Sequence, residues 1–87
     1  MKNIKLTQKD RTYLTTAVRR VIGQLRNVEK ELQEDTVGDH TFTQLLAVKG
    51  GASKVCKEII SRGVIDHLQT YTRKEIDQAL DVIFKLD

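Results

Sequence analysis

Apolar residues recur in steps of four and three along the first third of the chain. At about 100° per residue, these positions share one face of an α-helix. The members of this seam are Leu14, Val18, Val21, Leu25, Val28 and Leu32. Thr7, a residue type that caps helices, precedes the seam. Asp10 follows Thr7 and places a negative charge in the first turn, which the helix dipole favours. We therefore predict a first helix over residues 8–33.

A second helix with a much wider apolar arc is predicted over residues 41–69. The connection, residues 34–39, is short, so the two helices are expected to run antiparallel, with Gly38 at the chain reversal. Asp39 or Thr41 is expected to cap this helix, and Thr41 and Gln44 form a candidate capping box. The apolar arc contains Phe42, Leu45, Leu46, Val48, Ala52, Val55, Cys56, Ile59, Ile60, Val64, Ile65 and Leu68. The rest of one small chain cannot cover so wide an arc, and we expect a second subunit to bury part of it.

A third helix is predicted over residues 72–86, because Thr72 and Glu75 have the spacing of a capping box. Residues 1–6 are predicted to form a loose basic arm. No strand pattern or repeat interrupts the chain of 87 residues. The sequence therefore predicts one all-α domain over residues 1–87.

Charge and cysteine usage narrow the classes of function. Residues 1–33 carry eight Lys or Arg and three Asp or Glu, whereas residues 34–87 carry seven Lys or Arg and nine Asp or Glu. The excess of positive charge therefore lies in the first third of the chain. An oligomer would repeat the basic third, which favours a polyanion as partner. No apolar run approaches the ~20 residues of a membrane span, and no signal peptide is recognised. The single cysteine, Cys56, fits a reducing compartment, and we expect a cytoplasmic protein.

Two short motifs resemble those of a known family. Arg20-Val21-Ile22-Gly23-Gln24 is similar to the R-x-x-G-Q signature of the copper-, nickel/cobalt- and formaldehyde-sensing repressors, the CsoR/RcnR/FrmR family. The segment from Gln44 to Gly51 resembles the Q-x-x-A-V-[RK]-x-A signature of their second helix. The resemblance implies a three-helix protomer, an antiparallel four-helix core in the dimer, and a dimer of dimers that binds operator DNA.

The same resemblance implies a DNA-binding surface formed by Arg19, Arg20 and Lys49. Each has a simpler interpretation, since the arginines are also compatible with an ordinary charged surface and Lys49 with a lysine that extends from the apolar arc. Gly23 and Gly50-Gly51 leave bare backbone near these residues. Either a helix or a phosphate approaches this backbone closely, or the glycines are simply tolerated in the helices.

This chain departs from the family pattern at the positions that carry the sensor residues in the family. They fall on Gly38, Gly63 and His67, and only His67 carries a side-chain donor. His67 is a structural histidine, a pH-responsive interface residue or the remnant of a metal site. In the last case His40 of another chain, with Asp39 or Asp66, would complete the site for weak zinc binding. No cofactor is expected. Gly63 is also a position where the second helix can kink or end.

These observations leave two classes of function. The first is a transcriptional repressor of the metal-sensing type whose effector site is lost or rewired. The second is a helical oligomerisation module that binds a protein partner rather than DNA. An enzyme is not expected. The chain has one cysteine and two histidines, it lacks a motif of paired carboxylates, and these residues do not make up a catalytic set.

Overall fold

The computed structural model describes residues 3–86, and Met1, Lys2 and Asp87 lie outside it. These described residues form helices and loops without a strand, which confirms the all-α class. The order of elements is α1 (Gln8–Gln33), α2 (Asp39–Gly63), a short 3-10 helix (Ile65–Thr70) and α3 (Arg73–Lys85). Within residues 3–86, no helix is both long and apolar enough to cross a bilayer.

Side-chain caps fix the starts of α1 and α3. Thr7 Oγ1 accepts a hydrogen bond from the backbone N–H of Asp10 at 3.1 Å. Thr72 Oγ1 accepts from the N–H of Glu75 at 3.2 Å, and Glu75 Oε1 accepts from the N–H of Thr72 at 3.0 Å. Both predicted caps are confirmed, and α3 lies one residue inside each predicted end.

The start of α2 differs from the prediction. Gly38 occupies the cap position. Its backbone N–H donates a hydrogen bond of 3.1 Å to Oγ1 of Thr41, the third residue of the helix. The predicted cap at Asp39 or Thr41 and the predicted Thr41–Gln44 capping box are therefore wrong. The left-handed residue of the connection is Asp35, with φ 56°, whereas Gly38 is extended with φ −164°. Aspartate tolerates this conformation better than most residues, which explains how the chain reverses without glycine.

The second helix ends at Gly63 and not near residue 69. Beyond it, His67 N–H bonds to Val64 O at 3.1 Å in the tighter 3-10 pattern, and His67 has a non-helical φ of −134°. Val64 becomes fully buried at this turn and packs in one cluster with Ala79 of α3. The predicted continuous helix over residues 41–69 is therefore wrong beyond Gly63, where the chain turns into a separate 3-10 helix.

Antiparallel packing of α1 on α2 forms most of the molecule, and three contacts mark its length. Asp10 meets Arg62 at one end, Val21 meets Gly51 in the middle, and Glu31 meets Thr41 at the other end. The inward strip consists of Leu14, Ala17, Val21, Gln24 and Val28 on α1, and Thr41, Gln44, Val48, Gly51 and Val55 on α2.

The seam predicted for α1 is only half buried. Leu14 and Val28 are in the core, but Val18, Leu25 and Leu32 remain exposed. On each helix the residue after an inward position is usually apolar and the residue before it is usually polar. Because α1 and α2 are antiparallel, the residues that come directly after the inward positions of the two helices lie on the same face of the hairpin. This uncovered apolar face consists of Val18, Ile22, Leu25, Phe42 and Leu45.

A second core lies where α3 meets the end of α2. Ile60, Val64 and Ala79 are its buried members, and partly buried apolar residues surround them. Ile4 of the N-terminal arm belongs to this surrounding layer. The prediction of a loose arm is therefore wrong for Ile4 and its neighbour Leu6, which both approach Gly63. The same prediction for Met1 and Lys2 lies outside the described residues.

Candidate functional site

Arg20 lies in an open groove between α1 and α2. It directly precedes the inward residue Val21, which turns it to the hairpin face opposite the uncovered apolar face. The groove has a volume of about 320 Å³, and its other charged side chains are Lys54 and Glu58. Gln24, Tyr13 and the hydroxyls of Thr12 and Thr16 complete its polar lining. We call it the basic groove, defined by Arg20, Gln24 and Lys54. Two cations and one carboxylate give it a net positive lining.

Arg19 lies beside Arg20 on the outer surface of α1. There it lines a shallow depression together with Arg11 and the polar side chains of Gln8, Thr12, Thr15 and Thr16. Among the described residues, no acidic side chain lines this depression. The two arginines thus occupy adjoining basic surfaces along the first half of α1.

Lys49 lies apart from these residues. It is exposed and follows the inward residue Val48, whereas Lys54 precedes the inward residue Val55. Lys49 and Lys54 therefore project from opposite sides of α2. One chain brings Arg20 together with Lys54 but not with Lys49. Sequence reasoning missed Lys54, although its place just before an inward residue matches that of Arg20.

A charged clamp holds the end of the hairpin next to the basic groove. Arg62 of α2 bonds to Asp10 of α1 at 2.6 Å and to Glu58 at 2.6 Å, and it stacks 4.2 Å from the ring centroid of Tyr13. The hydrogen bond from Arg62 lowers the pKa of Asp10 below its ordinary value. The bonds to Glu58 and Asp10 raise the pKa of Arg62. Both partners thus stay charged, and the clamp fixes α1 against α2.

The N-terminal arm fills the space beside Gly63. A Cβ atom placed on Gly63 would collide with Cγ2 of Ile4 and would lie 3.2 Å from Cδ2 of Leu6. Only glycine fits at residue 63 while the arm keeps this position. A side chain that binds a ligand is therefore excluded there by packing as well as by sequence.

His67 and His40 are placed far from each other. His67 is half-buried in the 3-10 helix and lines a cavity of about 540 Å³. His40 is at the start of α2, where its Nδ1 lies 2.5 Å from Oε1 of Glu31 and its side chain is 69% exposed. The 25 residues of α2 span about 37 Å between the two histidines. A single chain cannot join them in one site.

Comparison with known proteins identifies the family. A family model described as metal-sensitive transcriptional repressor matches residues 10–85 of the chain. The chain belongs to this family. No match was found among curated proteins or among solved structures. The family is one of transcriptional repressors and not of enzymes, and it confirms the resemblance inferred from the two motifs.

The metal that the family senses does not fit the sensor positions of this chain. Gly38 and Gly63 have no donor atoms, and Ile4 occupies the space beside Gly63. Across residues 3–86, no three His, Cys, Asp or Glu side chains converge closely enough to hold a metal ion. Cys56, the only thiol, is half-buried against the second core. The donor set that these positions offer in one protomer is therefore His67 alone.

Proposed function

We propose that this chain is a DNA-binding transcriptional repressor of the cytoplasm that acts as a homo-oligomer, with residues 1–87 as a single domain. The observation that carries the proposal is the division of the hairpin into two unlike faces. The uncovered apolar face suits a second subunit, and the opposite face carries the basic groove. A dimer formed through the apolar face leaves Arg20 and Lys54 free to contact phosphates.

The proposed DNA surface combines Arg19, Arg20, Lys49 and Lys54. Arginine and lysine neutralise phosphates, and such contacts supply most sequence-independent affinity for duplex DNA. Arg20 and Lys54 supply one patch within a protomer, with Arg19 on the adjoining surface. Lys49 projects to the side of α2 that carries the uncovered apolar face, so in the proposed dimer it lies next to the subunit interface and contacts DNA apart from the patch of Arg20 and Lys54.

Self-association is supported by the dimensions of the protomer. Its radius of gyration is 16.1 Å, whereas a compact chain of 87 residues has a radius of about 12 Å. Its accessible surface is 6657 Å², compared with about 5,200 Å² for a globular monomer of this mass. An elongated chain with this excess surface is expected to bury it in a dimer or in a dimer of dimers.

The effector response is proposed to be lost or rewired. His67 alone leaves most coordination positions of a metal ion to water, which gives little affinity and no imposed geometry. Only weak zinc binding is expected, with His67 of one chain and His40 of another. Titration of the reduced protein with Cu(I), Ni(II), Co(II) and Zn(II) against a chelator tests this. Tight stoichiometric binding that His67→Ala abolishes, with release of DNA, would refute it.

The DNA-binding proposal is tested by fluorescence anisotropy with the duplex upstream of the chain's own coding sequence. Wild type is expected to prefer this duplex over a scrambled one. Arg20→Ala and Lys54→Ala are each expected to weaken binding several-fold without loss of helicity. Lys74→Ala on α3 is the matched control and is expected to bind like wild type.

The outcome also decides between the two classes of function. Equal affinity of Arg20→Ala, Lys54→Ala, Lys49→Ala and wild type would remove these residues from the DNA surface. Absence of duplex binding in a folded oligomer would overturn the repressor proposal and favour an oligomerisation module for a protein partner.

A further inference from the structure

The cavity next to His67 has two walls from distant parts of the chain. The N-terminal arm contributes Asn3, Lys5, Leu6 and Thr7, while the end of α2 and the 3-10 helix contribute Gly63, His67, Thr70 and Tyr71. Its volume of about 540 Å³ lies within the ~300–1,000 Å³ typical of small-molecule sites. The packing of Ile4 and Leu6 against Gly63 holds the arm in place as a wall.

The polar lining of this cavity is rich in hydrogen-bond donors. Lys5 and Asn3, both exposed at the open side of the cavity, supply an ammonium group and an amide, and half-buried His67 supplies an imidazole. Within residues 3–86 no acidic side chain lines the cavity. An ammonium group has three donors and no acceptor, so its preferred ligand is an anion. A metal cation is disfavoured, because Lys5 repels it and only one imidazole is present.

From this lining we infer that the cavity is an effector site for a small organic molecule that bears a carboxylate or phosphate group. The anionic group pairs with Lys5 and bonds to His67 and Asn3, and the organic part rests on Leu6 and Tyr71. The regulatory role of this site rests on the proposed repressor function. Its ability to bind an anion does not.

A ligand in the cavity contacts two elements whose relative position affects the DNA surface. Thr7 lines the cavity and caps α1, the helix that carries Arg11, Arg19 and Arg20. On the other wall, Gly63 follows Arg62, which clamps α2 to α1 through Asp10. A ligand at the cavity shifts DNA affinity to the extent that it binds the DNA-bound and the DNA-free chain with different affinities.

The test is a two-dimensional amide NMR titration of the full chain without DNA. Inorganic phosphate and malonate are the probes, and malonamide is the uncharged counterpart of malonate. Phosphate, malonate or both are expected to shift the signals of Lys5, Gly63 and His67 saturably, whereas malonamide does not. Lys5→Gln and His67→Gln are expected to weaken this binding at least tenfold.

Lys74→Gln is the matched control, because it removes an exposed cation of α3 and leaves both the cavity and the basic groove intact. It is expected to bind the anions as wild type does. The inference is overturned if no signal shifts, if malonamide acts like malonate, if shifts occur only at the basic groove, or if both cavity variants bind normally. A protein that binds the anion at the cavity but no DNA would refute the repressor proposal alone.

Discussion

Adjacent glycines in α2 have different surroundings. No atom lies within 4 Å of a Cβ built on Gly50, whereas a Cβ on Gly51 would lie 2.8 Å from Cγ2 of Val21. The bare backbone at Gly51 therefore permits the close crossing of α1 and α2 under the basic groove. Gly23 has open space around it in the protomer, so no contact within residues 3–86 accounts for this glycine.

This contrast gives a matched pair of substitutions. Gly50→Ala is expected to raise the free energy of unfolding by ~1 kcal/mol, the helix preference of alanine over glycine. Gly51→Ala gains the same preference but displaces Val21, and such overpacking costs about 1–3 kcal/mol. Urea denaturation of both variants measures the difference. Equal stabilisation by the two alanines would contradict the close crossing.

At the scale of elements, the junction of α1 and α2 depends on one carboxylate. Glu31 Oε2 accepts the hydroxyl of Thr41 at 2.5 Å, and its Oε1 lies 2.5 Å from His40 Nδ1. The bonds from Thr41 and then His40 lower the pKa of Glu31 below its ordinary value of 4.5. The negative charge also lies at the N-terminus of α2, where the helix dipole favours it.

A lowered pKa in the folded state fixes the sign of the pH dependence. The stability that Glu31 contributes is present above the pKa of the unfolded chain and is lost as the pH falls through the folded pKa. Glu31→Gln is therefore expected to lower the melting temperature at pH 7, and its difference from wild type is expected to shrink as the pH falls below 4.5. The exposed Glu29→Gln is the control on the same helix. A difference from wild type that persists unchanged at pH 3 would contradict the charge-based contribution.

Local signals in the sequence predict some element ends and not others. The bounds of α1 follow from the cap at Thr7 and from the apolar seam, both of which are local. At the end of α2, Gly63 packs against Ile4, which is remote in sequence and reaches it only in the folded chain. The apolar arc alone predicts a continuous helix to residue 69, whereas Gly63 is the local signal that the helix can end there, and the structure confirms that end.

The candidate site is predictable to a similar extent. The motif around Arg20 predicts a basic surface, and the glycines at two of the predicted sensor positions predict the loss of metal ligands. The pairing of Arg20 with Lys54 requires the register between α1 and α2, which the crossing at Gly51 sets. The cavity beside His67 requires the position of the arm, which apolar packing of Ile4 determines.

At the scale of the whole molecule, large apolar side chains remain uncovered on more than one helix. Leu46 of α2 is 70% exposed and Phe84 of α3 is 77% exposed, in addition to the apolar face of the hairpin. Contiguous apolar surface on a soluble chain indicates a binding partner. Separate patches on the hairpin and on α3 suit an assembly with two kinds of interface.

Sedimentation tests the use of the apolar face. Wild type is expected to sediment as a dimer or tetramer at micromolar concentration. Ile22→Glu introduces a charge into the apolar face and is expected to weaken association at least tenfold. Asn27→Glu introduces the same charge on α1 just before the inward residue Val28, on the other side of the hairpin, and is expected to leave association intact. A stable folded monomer of the wild type would contradict the assembly.

The salt dependence of DNA binding tests the central claim most directly. Affinity of the wild type and of Arg20→Ala for the upstream duplex is measured over a series of salt concentrations without added metal. The wild type is expected to bind with a steep negative slope of log affinity against log salt. The slope of Arg20→Ala is expected to be shallower by about 1 for each phosphate that the arginine neutralises in the wild type. Identical slopes for the two proteins, or binding that salt does not weaken, would contradict DNA recognition through the basic groove.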